Sequence, residues 1–162
     1  MNSYSIIPEC WADRLLVQTL GYEPENHQHS IGQVNNVMKN KFENKFAIGI
    51  IDNDKRKPSD FEKFKKIDEK SHLMLKKGSG KRQRHYLIMI SPAIESWLES
   101  VGNSVKVPKP YKDDRIYRKQ MKSMEVGKNK QITAYFNTIN QKNPAAFKTI
   151  KTWISSILAG KL

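Results

Sequence analysis

Two acids, Asp52 and Asp54, stand one residue apart at the end of the run Phe46-Ala47-Ile48-Gly49-Ile50-Ile51-Asp52-Asn53-Asp54. An almost wholly apolar run of this length reads as a buried strand. Side chains alternate along an extended chain, so both carboxylates are expected on the same side of the strand's carboxyl end. That edge is where open α/β sheets bind ligands. Two crowded carboxylates repel each other, and each is costly to desolvate alone. A hard divalent cation such as Mg²⁺ relieves both problems. Asp-Asn-Asp is also good turn chemistry after a core strand, so the motif by itself leaves metal site and polar turn equally open.

Three more acids share the expected geography. Glu9 follows a short apolar stretch, Ser3 to Ile7, that runs into Pro8. Asp13 lies in the first turn of the helix expected from Trp11 to Leu20, where an acid also gains from the helix dipole. Glu95 opens a helix just after the apolar segment Tyr86 to Ile90. If the strands are parallel neighbours, their carboxyl ends face one crevice. Carboxylates converging from separate strands suit Mg²⁺-assisted phosphodiester chemistry, and one outside the metal shell handles protons.

The elements that must position these acids follow from periodicity. Leu15, Leu16 and Leu20 have helical spacing, with Gly21 as the stop. Glu23 to Ser30 is a polar loop, and Val34, Val37 and Met38 predict a second helix. Pro58-Ser59-Asp60 can open a helix with Phe61 and Phe64 inside. His72 to Leu75 and Tyr86 to Ile90 are two strands, or a helix end and one strand. Ser91-Pro92 predicts a helix with Ser91 as N-cap and Pro92 at its first position, its stripe formed by Ile94, Trp97, Leu98 and Val101. Residues 105–112 form a Pro-rich basic connector. Asn143-Pro144 starts a last helix with Phe147, Ile150, Trp153, Ile154, Ile157 and Leu158 inside. The expected architecture is α/β: a small, mainly parallel, Rossmann-like sheet flanked by helices over residues 1–104, with a basic connector and helical extension over 105–162 packed on or beside it.

These residues, in this order, resemble the Toprim domain shared by topoisomerases, primases and OLD-type nucleases. The likeness is greatest to the small Toprim-like proteins of the RloB-like, phage-defence group. Ile6-Ile7-Pro8-Glu9-Cys10-Trp11-Ala12-Asp13 is similar to that family's first motif, with Cys10 where Gly is usual. Ile50-Ile51-Asp52-Asn53-Asp54 is similar to its Asp-x-Asp strand, and Ser91-Pro92-Ala93-Ile94-Glu95-Ser96-Trp97-Leu98 to an element of its compact members. The resemblance covers residues 3–102. It implies a Mg²⁺- or Mn²⁺-dependent nuclease, a hydrolase of DNA or RNA, with Glu9 as general acid–base, Asp52 and Asp54 as metal ligands, and Asp13 and Glu95 as additional candidates.

Charge agrees with a polyanionic partner. The 162 residues carry 29 Lys and Arg against 16 Asp and Glu, a formal charge of +13, which favours nucleic acid first. Candidate backbone contacts are Lys55 and Arg56 beside the acids, Lys76, Lys77, Lys81, Arg82 and Arg84 around Gly78-Ser79-Gly80, and Arg115 and Arg118 among Tyr111 and Tyr117. The glycine-rich turn lacks the spacing of a nucleotide-binding P-loop. His27 and His29 lack further ligands nearby. A single cysteine excludes an intramolecular disulfide and a cysteine-built zinc site. The absence of a membrane-length apolar run and of a leader pattern points to a soluble cytoplasmic protein. The C-terminal helices offer a surface for a protein partner or a homodimer. The competing functions are a non-catalytic nucleic-acid binder with a degenerate site, an accessory subunit, and a haloacid-dehalogenase-type phosphatase. In the phosphatase Asp52 would be the nucleophile, but Arg56 stands where that family expects Thr or Val.

Overall fold

A computed structural model describes residues 5–162. The parts of the expected first strand at Ser3 and Tyr4 lie outside the described residues. The elements are β1 (Ile6–Pro8), α1 (Trp11–Thr19), α2 (Ile31–Asn40), β2 (Ala47–Asp52), α3 (Ser59–Glu62), β3 (Lys65–Lys70), β4 (Leu73–Lys77), β5 (His85–Ile90), α4 (Ile94–Ser104), α5 (Asp114–Met121), α6 (Lys130–Gln141) and α7 (Ala145–Leu158).

One five-stranded sheet runs in the order β1-β2-β5-β4-β3. β1, β2 and β5 are parallel, with Pro8 paired to Ile50 and Asp52 to Ile90. β4 and β3 are antiparallel additions. The sheet is therefore mixed, and the expectation of a mainly parallel sheet holds only for its first three strands. The reason is β3, a polar edge strand whose residues are mostly exposed, and the tight β3–β4 hairpin in which Ser71 and His72 both take positive φ.

Alternation along the strands divides the core in two. Ile6, Ile48, Ile50, Tyr86, Ile88 and Ile90 face one side, packed by α1, α4 and the C-terminal helices α5 to α7. Ile7, Ala47, Ile51, Leu87 and Met89 face the other, under α2 and the Phe61–Phe64 corner. Burial on both faces explains the apolar continuity of β2 and β5. Gly49 sits where a Cβ would come within 2.9 Å of Leu87 and 3.0 Å of Val34, so a side chain there would push α2 off the sheet.

The residues expected to form an appended extension enter the larger core directly. Tyr117, Met121, Ile132, Phe136, Phe147, Ile150, Trp153 and Ile157 are all buried with the sheet's residues. The apolar face of α7 is thus consumed within the chain. Tyr117, which lies among the expected phosphate-contacting cations, is buried and donates its hydroxyl to the Glu95 carbonyl at 2.9 Å. Among the described residues no helix is long and apolar enough to cross a membrane.

Candidate functional site

Sixteen acids are present in the chain, and the fold buries four of them: Glu9 (3% exposed), Asp13 (0%), Asp52 (4%) and Glu95 (5%). All four belong to the carboxyl edge of the parallel strands. Glu9 follows β1, and its N–H still donates to the Ile50 carbonyl at 3.0 Å, extending the ladder toward β2. Asp52 is the last residue of β2, Asp13 lies in the first full turn of α1, and Glu95 in that of α4.

Helix α4 begins later than Ser91-Pro92 predicts. Ala93 is its N-cap and offers no side-chain acceptor, so the orphan donor at the helix start needs a partner from elsewhere. Asp52 supplies it: its Oδ1 accepts from Ile94 N at 3.0 Å. A strand-end carboxylate therefore caps a helix 42 residues away in sequence.

Glu9 and Asp52 are tied together. Glu9 Oε2 accepts from the Asp52 N–H at 3.2 Å. Lys55 Nζ lies 2.6 Å from Glu9 Oε1 and 3.4 Å from Asp52 Oδ2, so one ammonium neutralises part of both charges. Burial raises the Asp52 pKa to about 6; Lys55 and the Ile94 N–H oppose that rise, and the charges of Glu9 and Glu95 add to it. For Lys55, burial works against the charged form, but its bond to Glu9 and the charges of Glu9 and Asp52 outweigh that and raise its pKa.

Asp13 performs a capping exchange with Cys10. The Cys10 N–H donates to Asp13 Oδ2 at 3.1 Å, and the Asp13 N–H donates to Cys10 Sγ at 3.5 Å. The second oxygen, Oδ1, is buried without a partner among the described residues. Burial, then the charge of Asp52, raises the Asp13 pKa well above the ordinary carboxylate range. The Cys10 thiol is also pushed up, first by burial and then by Asp13, which favours its protonated form as a capping group.

A cleft of about 230 Å³ opens over these groups, lined by Asp52, Asp54, Lys55 and Glu95 and by Trp11 and Lys122. Asp54 differs from its expectation. The strand stops at Asp52, and Asp54 sits exposed on the following bend, held by its N–H to the Pro92 carbonyl at 3.0 Å. It reaches the cleft from the rim and does not stack beside Asp52 along an extended strand. Glu95 lies 3.6 Å from Arg118 and 3.5 Å from Lys122, both supplied by the end of α5. Lys122 was missed in the sequence reading; its position four residues beyond Arg118, on the same helical face, is the signal that would find it.

The other expected cations fall elsewhere. Arg56 is exposed beside Lys55, and Arg115 is exposed at the start of α5. Lys76 and Lys77 end β4; Lys81, Arg82 and Arg84 occupy the turn before β5. Since His85 pairs with Ala47 while Ile90 pairs with Asp52, this turn is at the opposite edge of the sheet from the acids. His27 stacks on Trp11 with ring centres 3.8 Å apart and meets His29 at 3.1 Å, packing the polar loop against α1.

Among the described residues no group of three or more His, Cys, Asp or Glu side chains forms a ready-made cation cage. In donor type the cleft fits a hard divalent cation, because the candidate ligands that line it, Asp52, Asp54 and Glu95, all present carboxylate oxygens; Asp13 is fully buried and does not line it. Lys55 already fills the position between Glu9 and Asp52. Compared with protein-family models, with curated proteins and with solved structures, the chain matches none.

Proposed function

We propose that the chain is a Toprim-like, Mg²⁺- or Mn²⁺-dependent nuclease that cleaves phosphodiester bonds in DNA or RNA, in a phage-defence setting. The observation that carries this reading is the gathering of every buried acid of a +13 chain at the carboxyl edge of β1, β2 and β5. Burying charge is costly unless a partner is supplied, and a polyanion-attracting surface around an acidic cleft suits a phosphate-bearing substrate.

In this reading Asp52 and Asp54 hold the cation, with Asp13 and Glu95 as further carboxylates. A bound divalent ion would neutralise phosphate charge and lower the pKa of water. Glu9, fixed by the Asp52 N–H, gives and takes protons at the reacting oxygen. Lys55 is half exposed and can swing to solvent, where with Arg56 it meets the substrate backbone. Arg118 and Lys122 sit at the rim and can exchange Glu95 for phosphate.

A second reading has its own observation. Lys55, Arg118 and Lys122 already pair with Glu9, Asp52 and Glu95, as in a binder or accessory subunit whose acids are structural. Labelled single- and double-stranded DNA and RNA, incubated with Mg²⁺ or Mn²⁺, separate the two. Cleavage that disappears in Asp52→Asn, in Glu9→Gln and with chelator supports the nuclease. Salt-sensitive binding without cleavage on every substrate, unchanged in Asp52→Asn, refutes it in favour of the binder.

A further inference from the structure

The edge of the sheet opposite the acids carries a second cleft, of about 300 Å³, lined by Lys39, Lys63, Lys81 and Arg82 with Asp60 and Phe64. Four cations face one carboxylate. That carboxylate is already shared: Asp60 Oδ2 accepts from Asn35 at 3.0 Å and lies 3.2 Å from Lys39 and 3.8 Å from Arg82. Lys63 and Lys81 are exposed and have no ion-pair partner among the described residues.

Arg82 is built into this cleft. Only 17% of its side chain is exposed, and two of its three guanidinium nitrogens have fixed partners. Nε donates to His85 Nδ1, Nη1 donates to Asn35 Oδ1 at 3.0 Å, and the group lies 5.3 Å from the centre of the Phe64 ring. Nη2 has no partner.

The partners of His85 define its tautomer. Its Nε2 faces the Phe42 carbonyl at 2.9 Å, and a carbonyl only accepts, so Nε2 carries the hydrogen. Nδ1 is then a lone pair, which Arg82 Nε requires. Burial lowers the His85 pKa, with the charge of Arg82 acting in the same direction and the Phe42 bond opposing, so the imidazole stays neutral and keeps accepting. An immobilised guanidinium with an unmatched donor, beside the unpaired ammonium groups of Lys63 and Lys81, is suited to a phosphate group, which presents several acceptor oxygens and about −1.5 to −2 charges.

We propose that this cleft is a phosphate-binding subsite, separate from the acidic cleft, in which Arg82 receives a phosphate group borne on a nucleotide or on a nucleic-acid backbone and His85 positions Arg82. The assignment does not depend on the nuclease reading, because none of its residues belongs to the acidic edge.

Calorimetric titration with pyrophosphate, and fluorescence anisotropy with a short labelled single-stranded oligonucleotide, test it at low salt. The wild-type chain should bind at least one probe. Replacing two exposed lysines together (Lys63→Ala and Lys81→Ala) leaves the core untouched and should weaken binding at least about tenfold. Arg82→Lys keeps the charge but removes the fork, and should do the same. His85→Gln retains an acceptor for Arg82 and a donor for Phe42, so it should bind more tightly than His85→Leu when both are confirmed folded by circular dichroism. Loss of both probes in the double lysine variant identifies a backbone-type ligand, and loss of pyrophosphate alone identifies a free phosphate compound. No binding of either probe by the wild type overturns the proposal, as does binding that survives both the lysine pair and Arg82→Lys. Lys142→Ala, which removes an exposed cation outside both clefts, serves as the control: it should leave pyrophosphate affinity unchanged.

Discussion

Asp52→Asn should make the metal-free protein more stable at neutral pH, and the structure gives the size of the gain. The raised Asp52 pKa of about 6 has burial as its leading cause. In the unfolded chain the same group titrates near the ordinary carboxylate value, about 3.9. Between those two values the folded state holds a proton that the unfolded state has released, so stability falls as pH rises. The difference is roughly 2 pH units at about 1.4 kcal/mol each, or about 3 kcal/mol lost by neutral pH. Asparagine removes the ionisation but keeps an oxygen for the Ile94 N–H, the bond that caps α4. Wild type and variant should therefore be equally stable at about pH 4, diverge between about pH 4 and pH 6, and keep a constant difference above that. For a chain of this length about 3 kcal/mol corresponds to roughly 6–12 °C in Tm. Urea and thermal unfolding in chelator, stepped from about pH 4 to about pH 8, read this out. Parallel curves across the range, or a variant less stable at neutral pH, would refute the reasoning, because the carboxylate would then be satisfied in the fold as an ordinary cap is. Asp13, raised in part by the Asp52 charge, is relieved in the variant and adds to the divergence with the same sign.

Lys55→Met strips the shared ammonium from Glu9 and Asp52. Removing one partner of a buried pair costs about 3–5 kcal/mol, but half of Lys55 is in water, so about 1–2 kcal/mol at neutral pH is expected. The Asp52 midpoint should move further up by carbon-detected NMR titration; an unmoved midpoint would show that the ammonium is not held there. Gly102→Ala puts a Cβ 2.5 Å from Tyr135 Oη and 2.9 Å from the Val107 carbonyl. Overpacking of about 1–3 kcal/mol should outweigh the roughly 1 kcal/mol that alanine gains in a helix, and a variant more stable to urea would contradict the close seating of α6 on α4. A fragment ending at residue 104 should bind a hydrophobic dye and aggregate, because it uncovers the sheet face that Phe136, Phe147 and Ile150 bury. A monodisperse, cooperatively melting fragment would show that the two parts fold independently.

The strands that carry the acids could be read in the sequence because they are buried on both faces, and such strands are uninterrupted apolar runs. β3 escaped notice for the opposite reason. Lys65-Lys66-Ile67-Asp68-Glu69-Lys70 lies at a sheet edge with little to bury, and its hairpin turn, Ser71-His72, lacks the glycine that usually marks positive φ. The start of α4 was misplaced because its cap is Asp52, a residue on another strand, and local pattern contains no trace of a long-range cap. The involvement of α5 in the site was hidden for a related reason. Arg118 was read as part of a basic surface, but its nearness to Glu95 depends on Tyr117 and Met121 anchoring the helix in the core. The basic turn before β5 could be seen in the sequence as charge; its separation from the acids by the length of β5 could not, because that depends on which strands are neighbours.

The two roles of Asp52 can be weighed against each other. Capping α4 and meeting the Lys55 ammonium require an oxygen acceptor, and asparagine supplies one without charge. A carboxylate retained for capping alone would have its charged form favoured by the fold, since bonds to the anion lower its pKa. Here burial and neighbouring acids outweigh both the Ile94 N–H and Lys55, so the charged form is the one the fold disfavours. The same imbalance applies to Asp13, whose unpartnered oxygen lies in the interior. Asp52, destabilised in this way beside Glu9 and lining a cleft with Lys55 and Lys122, has unmet demand for positive charge, with Asp13 buried outside the cleft lining. A divalent cation meets that demand more fully than one mobile lysine, and a phosphate backbone meets the matching demand of the surrounding Lys and Arg. That mutual deficit, more than the presence of acids, is what favours a metal-dependent nuclease over a purely structural cluster.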